Sequence, residues 1–437
     1  MDFELPTDVN YIIERLIEAG HEAYAVGGCV RDMIDERLPD DWDITTSAKP
    51  EEIKALFSPT IDTGIQHGTV TVLRHHVGYE VTTYRIDGEY EDNRHPKEVI
   101  FTNSLIEDLK RRDFTINAMA YNENGLVDEF GGIQDMQDKI VRCVGNPEER
   151  FSEDALRMMR AIRFSAQFGY VIEGATRAAI LKLHANLESI SAERINTELT
   201  KMLLSPHPEY IRDCYELGIT SVIMPEFDDC MTVTQNNPHH CYTVGEHIIH
   251  TLQYSERDKV VRYALLFHDM GKAKRKVTDA EGIDHFHGHA ELSAVMAHEI
   301  MKRLRFDNDT LYKVEKLVAN HDYRFEATKV SVRRAMNKIG LELFPLLLKV
   351  QEADLLAQSD FKRKEKEERL NTVWQLYREI LEDKECVRLA DLAVNGADLI
   401  AAGYTPGPEI GEKLNLLLER VIEDPQLNDR ETLLGLL

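Results

Sequence analysis

The sequence predicts a multidomain α+β protein: a head built on a mixed β-sheet, followed by an all-α neck, body and tail. Three observations lead there. A chain of 437 residues exceeds what one hydrophobic core usually serves. Alternating β-branched runs are confined to the N-terminal third, and from Asp154 onward the apolar residues recur almost entirely at helical spacing.

The elements follow in order. Val9, Ile12, Ile13 and Leu16 line one face of a helix that stops at Gly20. HEAYAVGG reads as a short strand running into a glycine turn, and Gly27-Gly28 enters a helix with Arg31 one turn in. DDWDITTS is the next strand, KPEEIKALF a helix, and GTVTVLRHHVGYEVTTYR a hairpin around Val77-Gly78. GNPEERF, with Gly, Asn and Pro together, marks a hinge. NNPHHCYTV, 236–244, opens a histidine-rich helical region, FKRKEKEERL, 361–370, is a solvated helix face, and TPGPEIG, 405–411, is a turn. The expected divisions are head 1–149, neck 150–225, body 226–358 and tail 359–437.

Composition narrows the function. A formal charge of −25 opposes general phosphate-backbone binding, although KRRD (110–113), RMMRAIR (157–163) and KAKRK (272–276) gather positive charge locally. The six cysteines are scattered without a CxxC, which points away from disulfides and zinc–cysteine sites. MDFELPTDVN lacks the basic and apolar regions of a secretory signal, and no apolar run approaches the ~20 residues of a membrane span. The expectation is a cytoplasmic, reduced protein with no membrane partner, a monomer being favoured.

Two carboxylates stand at i and i+2 in the strand, Asp41 and Asp43, on one face with Trp42 and Asp40 on the other. Such a pair repels itself without a cation, and hard oxygens at this spacing suit Mg²⁺ completed by substrate phosphates. Glu80 in the hairpin is a third candidate carboxylate. Gly27-Gly28 and Arg31 supply backbone amides and a cation for phosphate beside it. Asp40 is expected to be dispensable.

Downstream, Ser152 has the look of a helix cap, with Glu153 and Asp154 in the first turn. Asp154, Arg157, Arg160 and Arg163 are spaced by three, so neighbours share a face while the ends diverge. The plain alternative is an i,i+4 ion pair of Glu153 with Arg157.

GGCVRD, then DWDITTSA, then RRDFTINAMAY (Arg111 to Tyr121) resembles the class II nucleotidyltransferase head of tRNA nucleotidyltransferases and bacterial poly(A) polymerases. The resemblance implies a palm in which Asp41 and Asp43 bind two Mg²⁺ ions, with Gly28 and Arg31 on the nucleoside triphosphate and Arg112 and Asp113 among its ribose and phosphate contacts. EDALR resembles that family's nucleotide-selecting EDxxR motif, which implies CTP and ATP as substrates and Asp154 with Arg157 as the template. Cytosine and adenine both present an exocyclic amine beside an unprotonated ring nitrogen, matching a carboxylate acceptor and a guanidinium donor. Uracil and guanine would leave those groups unsatisfied. Gly27, Glu153, Arg160 and Arg163 complete the candidate nucleotide contacts.

Members of this family add CCA, or only CC or A, or a poly(A) tail. RIDGEYEDNRHPKEVIF, 85–101, resembles a flexible loop that CC-only members lack, and Ala155 stands where poly(A) polymerases commonly carry proline. The expected activity is therefore addition of CCA to the 3′ end of tRNA, with A-only addition and polyadenylation as the alternatives.

The remaining motif is GEHIIH (His247, His250), LLFHDMGK (His268, Asp269), HFHGH (His285, His287, His289), ANHD (His321) and EADLL (Asp354). Imidazoles with carboxylates suit a divalent transition metal able to activate water. The ordered His…His-Asp…Asp set resembles an HD-superfamily domain, which implies His247, His268, Asp269 and Asp354 as ligands. It also implies phosphatase or 2′,3′-cyclic phosphodiesterase activity on RNA ends, whether as a secondary or as the main activity. His289 and His321 are further candidates. A fold kept only to grip RNA, and an RNA-binding factor with an inactive head, are the non-hydrolytic and non-enzymatic readings.

Overall fold

The computed structural model describes residues 3–87 and 99–437. The chain divides into two compact units, Met1–Pro225 and Glu226–Leu437.

The first unit opens with α1 (Thr7–Glu18), which buries Val9, Ile12, Ile13 and Leu16 completely or nearly so. Then come β1 (Ala23–Val26), α2 (Gly28–Ile34), β2 (Asp43–Thr46) and α3 (Pro50–Leu56). They are followed by β3 (Thr60–Gly64), β4 (Thr69–Arg74) and β5 (Val77–Thr83). The order in the sheet is β3-β4-β5-β2-β1-β8-β9, with β8 (Ala120–Asn122) and β9 (Gly125–Val127) at the far edge. Within it β2 and β5 run parallel and the other pairs antiparallel, so the sheet is mixed, as the sequence predicts.

Strands β6 (Arg85–Asp87) and β7 (Val99–Phe101) form a separate antiparallel ribbon. Residues 88–98, the middle of the segment likened above to a flexible loop, lie outside the described residues. Helices α4 (Leu105–Lys110) and α5 (Gly132–Gln137) complete the head.

Three local expectations are corrected. The hairpin turns at His75-His76, whose φ values of 47° and 68° are those of a two-residue primed turn. Gly78 lies inside β5 opposite Leu73, where a Cβ would come within 2.9 Å of Thr71, so this glycine serves packing. Second, β2 begins at Asp43, so Asp40 and Asp41 precede the strand rather than alternate along it.

Third, GNPEERF is a helix start. Asn146 caps α6 (Pro147–Glu153) by accepting from the Glu148 amide at 3.1 Å, with Pro147 at the first position. The expected boundary at 149/150 falls inside this helix. Ser152 lies in its last turn, bonded to the Glu148 carbonyl, and caps nothing. Asp154 is extended (φ −141°, ψ 102°) between α6 and α7 (Leu156–Phe168), and its Oδ1 accepts from the Leu156 amide at 3.1 Å. The strand β10 (Ile140–Val141) pairs in parallel with β11 (Val171–Ile172), and α8 (Gly174–Leu183), α9 (Ala192–Leu203), α10 (Ile211–Glu216) and α11 (Ile219–Ile223) finish the unit.

The second unit is helical. It starts in α12 (Pro225–Met231) and continues through α13 (Val244–Tyr254), α14 (Lys259–Phe267) and α15 (Lys272–Arg275). A two-stranded ribbon, β12 (Val277–Thr278) with β13 (Asp284–His285), precedes α16 (His289–Arg303), α17 (Asn308–Asn320), α18 (Lys329–Ile339) and α19 (Phe344–Leu356). Helix α20 (Arg363–Glu382) carries the charged run on a largely exposed face. Helices α21 (Gly396–Ala401), α22 (Pro408–Glu423) and α23 (Arg430–Gly435) enclose a core of Leu399, Leu417, Val421, Ile422 and Leu433. The buried Arg333 of α18 donates to the Ile422 and Glu423 carbonyls at the end of α22. A guanidinium there satisfies carbonyls the helix leaves open and complements its dipole. Among the described residues no helix is long and apolar enough to cross a membrane.

Candidate functional site

In the first unit the strand register does the assembling. Asp43 opens β2 and lies directly opposite Glu80 of the parallel neighbour β5. The two carboxylates therefore sit side by side, and Asp41, just before the strand, adds a third charge to the group. Burial and then the Asp41 charge raise the Asp43 carboxyl above its usual range, with Arg112 opposing them. Glu80 is raised by burial and by the Asp43 and Asp41 charges. The clustering expected from Asp41, Asp43 and Glu80 is present, though through cross-strand register and not through alternation on one strand.

The glycine turn lies against the same cation. Gly27 has φ 82° and ψ −128°, a backbone conformation that favours glycine, and a Cβ there would sit 2.9 Å from an Arg112 Nη and displace the end of that guanidinium. Gly28 has no such constraint, its nearest neighbour being Arg31 at an ordinary 3.6 Å. Arg31 is buried and committed: it donates to Asp32 at 2.9 and 3.0 Å and to Asn117 Oδ1 at 2.5 Å, and lies over Phe168 at 4.7 Å. These contacts tie α2 to Asn117 and to Phe168 of α7.

Asp108 was not singled out in the sequence, yet it is fully buried and central. It accepts from Arg111 Nε at 2.9 Å and Thr45 Oγ1 at 3.0 Å, and Arg112 lies 3.6 Å away. Burial favours its neutral form, but the two arginines outweigh that and keep it below the usual carboxylate range. The signal was available: DLKRR places two arginines three and four residues after an aspartate, at the end of a helix.

Asp113 is equally committed. Its Oδ2 takes two bonds from Arg160 at 2.6 and 2.8 Å, and its Oδ1 accepts from the Phe114 amide and Asn117. Burial would raise its pKa, but the Arg160 charge and these hydrogen bonds hold it far below the usual range. Arg163 pairs at 2.6 Å with the buried Glu198, which also faces Arg160 at 3.8 Å. Glu198, in α9, is a second residue that sequence reasoning missed.

The members of the EDxxR set take separate partners within the protein. Glu153 receives Arg157 at 2.7 Å, the i,i+4 pair, and Arg157 also donates to the Arg111 and Arg150 carbonyls. Asp154 is gripped instead by Arg194 of α9 at 2.8 Å, a partner no local spacing reveals.

In the second unit the histidine motif converges on one buried point. His247 Nε2 lies 2.9 Å from Asp354 and 3.5 Å from Asp269 Oδ2. His268 Nε2 lies 3.4 Å from that same Asp269 oxygen and 3.8 Å from Asp354. His268 is fully buried and its Nε2 has no hydrogen-bond partner, an orphaned lone pair aimed into the cluster. Lys272 reaches Asp269 Oδ2 at 2.7 Å. His250, His285 and His287 are elsewhere: His250 bonds Gln253, and His285 bonds Asp279 and stacks on His287.

The chain matches the family model "Poly A polymerase head domain" over residues 23–142, an RNA and SrmB-binding region of polymerase A over 169–231, and tRNA nucleotidyltransferase domain 2 over 278–437. It is 35 % identical to the CCA-adding enzyme of Leuconostoc mesenteroides, covering 98 % of this chain and 94 % of that one. It is 36 % identical to that of Lactobacillus helveticus, covering 94 % and 91 %. Among solved structures it is similar to the Bacillus stearothermophilus CCA-adding enzyme in complex with CTP, with TM-score 0.74 and 28 % identity over 99 % of this chain and 97 % of that one. The Thermotoga maritima CCA-adding enzyme complexed with tRNA shares the fold at TM-score 0.60 and 18 % identity over 99 % and 95 %.

The Asp113–Arg160 pair gives a pH signature. Because the folded pKa is depressed, its stabilisation is present above the ordinary carboxylate pKa of about 4 and fades as pH falls below it. Asp113→Asn is expected to cost about 3 kcal/mol at pH 7, the scale of a broken buried pair. In urea denaturation the gap between wild type and variant narrows below about pH 4; a gap independent of pH would rule out the charge pair as its source.

Proposed function

The chain belongs to the family of CCA-adding enzymes, and on that premise we propose that it builds or repairs the CCA at the tRNA 3′ end from CTP and ATP. The observation that carries the reading is the Asp43–Glu80 register with Asp41 beside it and Arg112 the nearby cation. The carboxylates of Asp41, Asp43 and Glu80, with those of Asp43 and Glu80 raised in proton affinity by burial and neighbouring charge, are a hard-ligand set suited to Mg²⁺. Asp41 and Asp43 would hold two such ions, with Glu80 adjacent; bound there, they lower the pKa of the attacking 3′-hydroxyl and neutralise triphosphate charge.

The protein's own groups have separable tasks. The Gly27 turn lets a phosphate approach the first-turn amides of α2, and Arg112 supplies positive charge at that turn. Asp113 and Arg160, locked together, fix the segment that carries Arg112 relative to α7. Asp154 and Arg157 read the base, held in place by Arg194 and Glu153 so that neither is free to accommodate the wrong edge. The nucleotidyl-transfer head runs up to the Asn146-capped helix α6, the selecting neck from there to 225, the histidine-bearing body spans 226–358, and the tail 359–437 grips tRNA.

The His–Asp cluster supports a second activity, hydrolysis of phosphate esters at RNA ends by an HD-type centre. Its donors fit a divalent transition metal on His247, His268, Asp269 and Asp354, since the orphaned His268 Nε2 and the two carboxylates face one point. Such an ion would supply an activated water.

Sequenced products from tRNA ending before the first C, before the A, and mature, given CTP and ATP, are expected to end in CCA; stopping at CC or extending an A tail would overturn the assignment. Asp43→Ala should lose at least about a hundredfold in transfer, the scale of losing one charge-stabilising group, while circular dichroism stays unchanged. Asp154→Ala and Arg157→Ala should each narrow the preference for CTP and ATP over UTP and GTP about tenfold or more; unchanged selectivity would remove their template role. Release of phosphate from RNA 3′-phosphate ends should need added metal and vanish in His268→Ala and Asp269→Ala, and metal-independent release would defeat the hydrolase reading.

A further inference from the structure

We propose that Arg324, Lys362, Lys366 and His239, grouped about the exposed ring of Phe361, bind the phosphate monoester of a nucleotide, as at the 3′ end of an RNA strand. The site lies beside the His–Asp cluster and rests on the hydrolase reading for its purpose, while its own contacts need no metal.

The segment between α19 and α20 is tied to the loop before α13. The Ser359 amide donates to the His239 carbonyl at 3.0 Å, and the Phe361 ring meets the His239 ring edge-on at 4.9 Å. Lys366, in the first turn of α20, donates to His239 Nδ1 at 3.0 Å and to Gln358 Oε1 at 2.7 Å. The Gln358 amide in turn donates to Asp354 Oδ2 at 3.1 Å. Asp354 is the exposed edge of the cluster: its side chain is 22 % accessible, against 2 % or less for His247, His268 and Asp269. A ligand on Lys366 is therefore one residue removed from the cluster's open side.

The cations gathered there lack counter-charges. Elsewhere in this unit Lys329, Arg333 and Arg334 pair with acids. Among the described residues no carboxylate lies within ion-pairing distance of Arg324, Lys362 or Lys366, and the neighbouring Arg363 is spent on Asp360 and on the Leu356 and Gln358 carbonyls. Burial, and then the charges of Lys366, Arg324 and Lys362, push His239 below its usual pKa. Burial with Arg324, Arg363 and Lys362 does the same to Lys366, against the opposing charge of Asp354. An ammonium only donates, so His239 accepts at Nδ1 and carries its proton on Nε2, which has no acceptor among the described residues. Lys366 has likewise used two of its three protons. Unused donors and uncompensated cations set together call for an anion. A phosphate monoester carries about −1.5 to −2 at pH 7 and three acceptor oxygens, more charge than a backbone diester, so three cations favour the terminal group. The exposed Phe361 offers a ring on which the attached base can stack.

Equilibrium binding to full-length protein in the presence of a chelator tests this, since neither transfer nor hydrolysis then consumes the probe. A short single-stranded RNA labelled at its 5′ end and closed by a 3′-phosphate should bind at least about tenfold more tightly than the same strand closed by a 3′-hydroxyl, the scale of one charge-assisted hydrogen bond. Arg324→Gln, Lys362→Gln and Lys366→Gln combined should abolish that preference with circular dichroism unchanged, and Lys362→Gln alone, at an exposed position, should narrow it. Competition by a nucleoside 3′-monophosphate separates the sources: weaker binding than the strand assigns the RNA end to this site, and equal binding assigns the free nucleotide. Equal affinity for the two strands in the parent, or a preference that survives in the triple variant, would overturn the site. With metal restored, a preference for 3′-phosphate without phosphate release would leave this site standing and remove the hydrolase, and release without the preference would do the reverse.

Discussion

The parallel pairing of β2 on β5 is the constraint on which the head depends. Every other pairing in that sheet is antiparallel, and only this one sets Asp43 opposite Glu80. A slip of one residue would turn Glu80 to the other face of the sheet and bury a charge where the buried Val81 now packs. The register is secured by Thr45, on the same face as Asp43, and Thr46, on the other, both fully buried, whose hydroxyls bond Asp108 and the Glu22 carbonyl. The residues that hold the strand thus connect it to the aspartate that gathers Arg111 and Arg112.

That connection makes the arginines of the head a single system. Asp108 fixes Arg111 and Arg112, Asp113 fixes Arg160, and Glu198 fixes Arg163. Each carboxylate is buried and each guanidinium partly so, and breaking one pair leaves a charge with no compensation. A strongly acidic chain thus gathers arginines locally, each held by a buried carboxylate.

Much of this was legible from the sequence. The mixed head and helical remainder follow from where alternation stops, and the carboxylates and the histidine set stand out as residue types unsuited to an ordinary fold. What local pattern does not contain is pairing across distance. Glu80 was a candidate only by alternation, and its register with Asp43 comes from a crossover through α3, β3 and β4. Arg194 and Glu198 lie 40 and 35 residues from their partners Asp154 and Arg163. The helix starting at Pro147 was mistaken for a hinge because Gly, Asn and Pro announce a loop and a capped helix alike.

Five of the six cysteines are buried, and burial pushes their thiols up, Cys29 and Cys386 to about 11 and Cys143 to about 12. Cys241 alone is exposed. It stands between His240, whose ring lies 5.3 Å from that of His247, and Tyr242, stacked 4.1 Å from His250. The native chain consequently offers one addressable position for a thiol-reactive fluorophore, beside the histidine cluster, and needs no cysteine-free background for its optical signal to be read site by site.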